Sequence, residues 1–128
     1  MSIARSRFKQ LILLLVCTAS AGCVLAADKA KPAGRNQYFG AIAYHAGSGS
    51  FGWASDRRTS RDARIEALEQ CGRQECVIVA TLSRSCGALA KDAKKFVVQK
   101  GATRKEAETK ALGKCGARCE IAVWACTR

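Results

Sequence analysis

The chain has 128 residues, 48% of them hydrophobic and 25% charged, which leaves room for one domain around one modest core. Its 22 Lys and Arg outweigh 10 Asp and Glu for a formal net charge of +12, a balance that favours anionic partners. With a single histidine, the inventory for acid–base catalysis is thin.

In chain order, residues 1–26 read as an export signal. MSIARSRFKQ carries Arg5, Arg7 and Lys9, LILLLVC is too short an apolar run to span a bilayer comfortably, and small residues follow. Cleavage after Val24-Leu25-Ala26 leaves six of the eight cysteines, whereas cleavage after Ala19-Ser20-Ala21 leaves Cys23 as an unpaired seventh. Ser20-Ala21-Gly22-Cys23 partly resembles a lipoprotein signal, with Ser where Leu is usual, and lipidation of Cys23 would again leave six. A periplasmic or secreted protein is therefore expected, with an outer-membrane lipoprotein as the alternative and membrane contact only if Cys23 is lipidated. An exported protein seldom meets nucleic acid, and no nucleic-acid partner is expected. Three of the 22 basic residues leave with the signal, so 19 remain against 10 acids and the mature chain carries +9.

Residues 27–37 form a polar lead-in holding the only proline, and residues 38–128 form a single domain. YFGAIAYHAGSGSFGWAS gives two short apolar strands around a Gly/Ser turn, a hairpin. A helix follows. Thr59 with Asp62 approximates a capping box, Ala63, Ala67, Leu68 and Cys71 make a narrow apolar stripe, and Gly72 ends it as a residue free to take a left-handed conformation. CVIVATL at 76–82 is then a continuous apolar run, of the kind that suits a strand covered on both faces. The same order returns. GALAKDAKKFVVQK supplies a second hairpin, Thr103 with Glu106 starts a second helix, Gly116 ends it, and IAVWAC at 121–126 is the last strand. Laying Thr59 on Thr103 superposes Ala63 on Ala107, Ala67 on Ala111, Cys71 on Cys115 and Gly72 on Gly116, the mark of an internal repeat. The expected fold is α+β, two strand-strand-helix-strand repeats forming an antiparallel-rich sheet with two helices, held by disulfides.

Six cysteines, Cys71, Cys76, Cys86, Cys115, Cys119 and Cys126, in a small exported domain point to three disulfides. Zinc ligation is the competing reading of the Cys71/Cys76 and Cys115/Cys119 spacings; export weighs against it, and no metal or cofactor is expected. Counted as three per repeat, an odd number, they require at least one bridge between the repeats. Closing each short Gly-containing loop and joining Cys86 to Cys126 is the expected set, with other pairings open.

Gly-Ala-Ile-Ala-Tyr at 40–44, Phe-Gly-Trp at 51–53, Cys-Gly-Ala-Leu-Ala at 86–90 and Gly-Ala-Thr-Arg-Lys-Glu-Ala-Glu at 101–108 resemble the bacterial family called domain of unknown function 4189. The resemblance covers roughly residues 38–126. It implies export and paired cysteines, carries over no catalytic residues, and brings the expectation that some relatives act as immunity proteins against a toxin from a neighbouring cell. FVVQK at 96–100 departs from the family's aromatic-rich second hairpin.

Among function classes, catalysis finds little support. His45 adjoins Ser48 and Ser50 in the turn but has no neighbouring acid to orient it, and Asp62, Glu66 and Glu69 are spaced around a charged helix as a solvated face is. A binding module needs only a rigid frame and a surface. Tyr44 and Trp53, with Tyr38, Phe51 and Trp124, are the aromatic candidates, and Arg57, Arg58, Arg61 and Arg64 form the densest basic cluster. The expected function is non-enzymatic binding of a protein partner, most sharply an acidic toxin or effector. A small secreted hydrolase or wall-associated enzyme is the alternative.

Overall fold

The structure, a computed structural model, describes residues 37–128; residues 1–26, expected to be an export signal, and most of the expected lead-in fall outside the described residues. The elements run β1 (Phe39–His45), β2 (Ser50–Arg57), α1 (Ser60–Cys71), β3 (Val77–Ser83), β4 (Cys86–Lys91), β5 (Phe96–Gly101), α2 (Arg104–Cys115) and β6 (Glu120–Cys126). The repeat is therefore strand, strand, helix, strand, twice over.

Each repeat closes its own antiparallel sheet, with order β2-β1-β3 in the first and β5-β4-β6 in the second. The strands thus divide between two sheets instead of joining one. Small residues explain the division. On β1, Ala41 and Ala43 face α1, where they meet Ala63, Ala67 and Cys71, while Ile42 and Tyr44 face the other sheet. On β4, Ala88 and Ala90 meet Ala107, Ala111 and Cys115 of α2, while Leu89 faces inward to Ile42, Leu82 and Val123. Period-two alternation gives each central strand two buried faces. The result is four layers, helix, sheet, sheet, helix.

The helices lie close because their buried faces are alanine. The tightest approach is at Gly52 of β2, where a Cβ would stand 2.1 Å from the Ala67 carbonyl oxygen and 2.4 Å from the Cys71 nitrogen. No residue but glycine fits there. Both helix starts are as read: Thr59 accepts from the Asp62 N–H at 3.0 Å and Thr103 from the Glu106 N–H at 3.2 Å. Glu106 returns a bond one residue earlier than a capping box does, to the Ala102 N–H at 2.9 Å. Gly72 takes the left-handed conformation (φ 72, ψ 13); Gly116, at φ 109 and ψ 177, has positive φ but lies outside that region.

Two expectations need correction. The strands covered on both faces are β1 and β4, whereas the apolar runs β3 and β6 are half-exposed edge strands, with Val77 and Trp124 facing solvent. The disulfides are Cys71–Cys76, Cys86–Cys126 and Cys115–Cys119, but none crosses between the repeats. Cys86 opens β4 and so belongs to the second repeat, where its bridge ties β4 to β6. The repeats hold two and four cysteines, and the parity argument lapses.

Candidate partner-binding surface

Directly paired residues of an antiparallel sheet share a face. Trp53 pairs with Ile42 and Phe51 with Tyr44, so all four side chains belong to the inner face, the one turned toward the second sheet. Their burial differs sharply. Ile42 and Tyr44 are 0% and 5% exposed, but Trp53 and Phe51 are 43% and 41% exposed. The second sheet ends at β6 and leaves β2 uncovered. Between them lies a groove of about 540 Å³, lined on one side by Phe51, Trp53 and Ser55 and on the other by residues 122–126 of β6.

Of the sequence-level candidates, Trp53 is thus at the surface and Tyr44 is not. Tyr44 fills the inter-sheet core, its ring centroid 4.8 Å from that of Phe96 and the Lys91 ammonium 5.9 Å from its own. A buried Tyr44 cannot contact a partner, and its candidacy as a binding residue is withdrawn. Trp124, on the opposite face of β6 from Val123, carries the Arg104 guanidinium 3.9 Å above its ring.

The arginine cluster also divides. Arg57 binds Glu66 through Nε, and through a second bond from its terminal nitrogen at 2.6 Å, tying β2 to α1. That hydrogen bond holds the Glu66 carboxyl below its ordinary value and the guanidinium above its own, with desolvation opposing both. Arg57 is a strut. Arg58, Arg61 and Arg64 are exposed and have no ion-pair partner among the described residues.

Two residues passed over in the sequence meet beside the groove, which Asp56 lines. Asp56, at φ 53, accepts from the Arg128 backbone N–H at 3.0 Å and from its guanidinium at 3.3 Å. The backbone bond is the chief reason its carboxyl sits below its ordinary value, ahead of the opposing desolvation and the guanidinium bond. The only sequence signal was an aspartate in a strand, where Asp is disfavoured. Seventy-two positions separate the pair, and no local pattern joins them.

His45 Nδ1 lies 2.6 Å from Ser48 Oγ, which donates to Ser50 Oγ at 2.9 Å; Arg73 Nε also donates to Ser50 Oγ, at 3.2 Å. This chain fastens the first hairpin turn to the loop closed by Cys71–Cys76. No carboxylate orients the imidazole among the described hydrogen bonds. At the matching end of the second repeat, a recess of about 570 Å³ is lined by Lys91, Lys94 and Arg118 with Asp92 and Glu120. Asp92 turns its carboxylate into its own turn, accepting from the Lys94 and Lys95 N–H groups at 2.7 and 2.8 Å.

Residues 39–126 match the family described as domain of unknown function DUF4189. The chain belongs to this family. The DUF4189 domain is 42% identical over 90 residues to the uncharacterized proteins Rv1813c of Mycobacterium tuberculosis (strain H37Rv) and Mb1843c of Mycobacterium bovis. That alignment takes in 70% of this chain and 60% of the mycobacterial proteins, so the chain spans less than two thirds of these curated relatives. The NMR structure of Rv1813c is similar to the DUF4189 domain with a TM-score of 0.57 and 37% identity, over 70% of this chain and 74% of that one. At that identity the likeness supports the α+β fold.

Proposed function

We propose that this is a non-enzymatic, exported binding protein that holds a macromolecular partner in the groove between β2 and β6. The observation that carries the reading is the exposure of Phe51 and Trp53 beside their buried direct partners Tyr44 and Ile42 on the same sheet face. Large aromatics in a concave, partly apolar setting are the usual anchors of protein interfaces. Arg58, Arg61 and Arg64, exposed and without an ion-pair partner among the described residues, add positive charge suited to steering an acidic partner. The sharpest version is an immunity protein that neutralises an acidic antibacterial toxin.

The test pairs two variants in a protection or pull-down assay against a toxin-like protein, sought first among the products of neighbouring genes. Phe51→Ala with Trp53→Ala should weaken binding by at least about 2 kcal/mol, the hot-spot range, with the fold unchanged by circular dichroism. Arg58, Arg61 and Arg64→Glu should slow association and flatten its salt dependence; Arg57 is left alone because it holds Glu66. The hydrolase alternative has the His45–Ser48 contact in its favour. If His45→Ala abolishes activity while the aromatic variant retains it, binding at the groove is the wrong reading and the hydrolase replaces it.

A further inference from the structure

The two walls of the groove are unlike. β2 contributes alternate residues, Phe51, Trp53 and Ser55, with Asp56 added where its register with β1 shifts, and so presents a side-chain face along most of its length. β6 contributes residues 122–126 consecutively, and so presents its backbone edge. β6 pairs with β4 alone among the described strands, which leaves that edge free.

Its free donors can be identified. On the β4 side, the Thr127 N–H donates to the Ser85 carbonyl at 2.9 Å. The next pair, Cys86 and Cys126, stands 4.0 Å apart at Cα, the close spacing of a pair that exchanges no backbone hydrogen bonds. Alternation then turns the N–H and C=O groups of Cys126 and Trp124 away from β4. Arg128 has the same parity, and its N–H already meets an acceptor from β2, the Asp56 carboxylate. The outward row therefore starts at Arg128, capped by Asp56, and continues past Cys126 and Trp124 along the groove.

We propose that the groove is the place of one more strand: an extended segment of an acidic partner protein adds to the free edge of β6. Its main chain pairs with Trp124 and Cys126, and its alternate side chains cover Phe51 and Trp53. Such addition combines backbone hydrogen bonds, which supply affinity, with side-chain pockets, which supply selectivity. Charge decides the occupant. Arg104 lies over Trp124 and Arg128 bonds Asp56; Trp124 and Asp56 both line the groove, so cations border it. A second copy would bring its own net positive charge and set these arginines against their counterparts, whereas an acidic strand complements them. The proposal rests on the binding reading above and names its mode.

The probe is a synthetic ten-residue peptide of alternating Val and Glu, capped at both ends, titrated into the full domain and followed by amide hydrogen exchange. Exchange at Trp124 and Cys126 should slow by about tenfold or more on binding. Methylating the peptide's amide nitrogens on one alternate set of residues should abolish binding, and on the other set leave it intact. If the peptide shifts the Phe51 and Trp53 ring signals but leaves both amides exchanging freely, strand addition is wrong while groove binding stands. If none of the peptides, the unmethylated one included, binds saturably, the proposal is overturned. So does concentration-dependent protection of the same amides without peptide, which would make a second copy the occupant.

Discussion

Superposed on each other, the two repeats agree residue by residue where a helix meets a sheet. Gly40-Ala41-Ile42-Ala43 of β1 matches Gly87-Ala88-Leu89-Ala90 of β4, and the register slips at the same step, Ile42/Ala43 against Leu89/Ala90. They part at the edges. Phe39 pairs with Ser83 where Cys86 pairs with Cys126, and Trp53, opposite Ile42, corresponds to Val98, opposite Leu89. Val98 packs into the inter-sheet core and Phe96 packs at a tilt against Tyr44, so the site that symmetry would relate to the groove is largely filled. Close helix packing constrains the alanines in both copies. The edges are under no such demand, and there the first repeat carries aromatics on an open face while the second carries a disulfide.

The largest test of this difference is the bridge. Cys86–Cys126 closes 40 positions of chain, against 5 for Cys71–Cys76 and 4 for Cys115–Cys119. On the chain-entropy account its loss costs about 4 kcal/mol, and loss of either short bridge about 2 kcal/mol. Chemical denaturation of Cys86→Ala/Cys126→Ala beside Cys71→Ala/Cys76→Ala should show that gap. Equal losses would mean that the staple of the second repeat adds nothing beyond local loop closure.

Next comes the contact of strand and helix. Gly52 of β2 corresponds to Val97 of β5, and a side chain is accommodated only at the second position. Gly52→Ala should displace α1 and cost on the order of 1–3 kcal/mol, as overpacking does. Val97→Ala leaves space instead and should cost less, about 1 kcal/mol, near the low end for removing methyl groups from a half-buried site. A Gly52→Ala variant as stable as the parent would show that α1 is free to ride further from its sheet than α2.

These two sites also mark what could be read in advance. The repeat, the helix starts at Thr59 and Thr103 and the two short cysteine loops follow from local patterns and were legible, while Cys86–Cys126, 40 positions apart, was the pair left once those loops were closed. Which aromatic stays exposed was not. Tyr44, Phe51 and Trp53 occupy one hairpin with the same alternation, and only the reach of the other sheet buries the first and leaves the other two open. The Arg57–Glu66 strut and the Asp56–Arg128 clasp escape for a similar reason, since each joins two separate elements. The apolar run of β6 was misjudged because apolar composition fits an edge strand as well as a central one.

The caps differ by less. α2 has a reciprocal start, Thr103 bonding the Glu106 N–H while Glu106 bonds the Ala102 N–H, whereas Thr59 bonds the Asp62 N–H. Thr103→Ala and Thr59→Ala should each lower stability by about 1 kcal/mol, with Thr103→Ala the larger because Glu106 loses its setting. A reversed order, measured by thermal denaturation, would assign the firmer start to α1.

The smallest difference concerns acid. Glu66 and Glu106 occupy comparable helices, and both carboxyls sit below their ordinary value of 4.5. The causes differ. Glu66 is held chiefly by its bond from Arg57 across to β2, and Glu106 chiefly by Lys110 on its own helix, then by the Ala102 N–H. A depressed folded value means that the charged form is favoured by folding. The stabilisation is therefore complete above the unfolded value and is lost as pH falls through the lower folded one. Both contributions should fade together below about pH 4.5, each a small part of the acid limb because all four side chains are substantially solvated. Glu66→Gln should flatten that limb and speed exchange of amides where β2 meets α1. Glu106→Gln should flatten it equally while the exchange change stays at the start of α2. Faster exchange between β2 and α1 in both variants would show that the repeats respond to acid as one body, and the contrast between a strut and a helical pair would not hold.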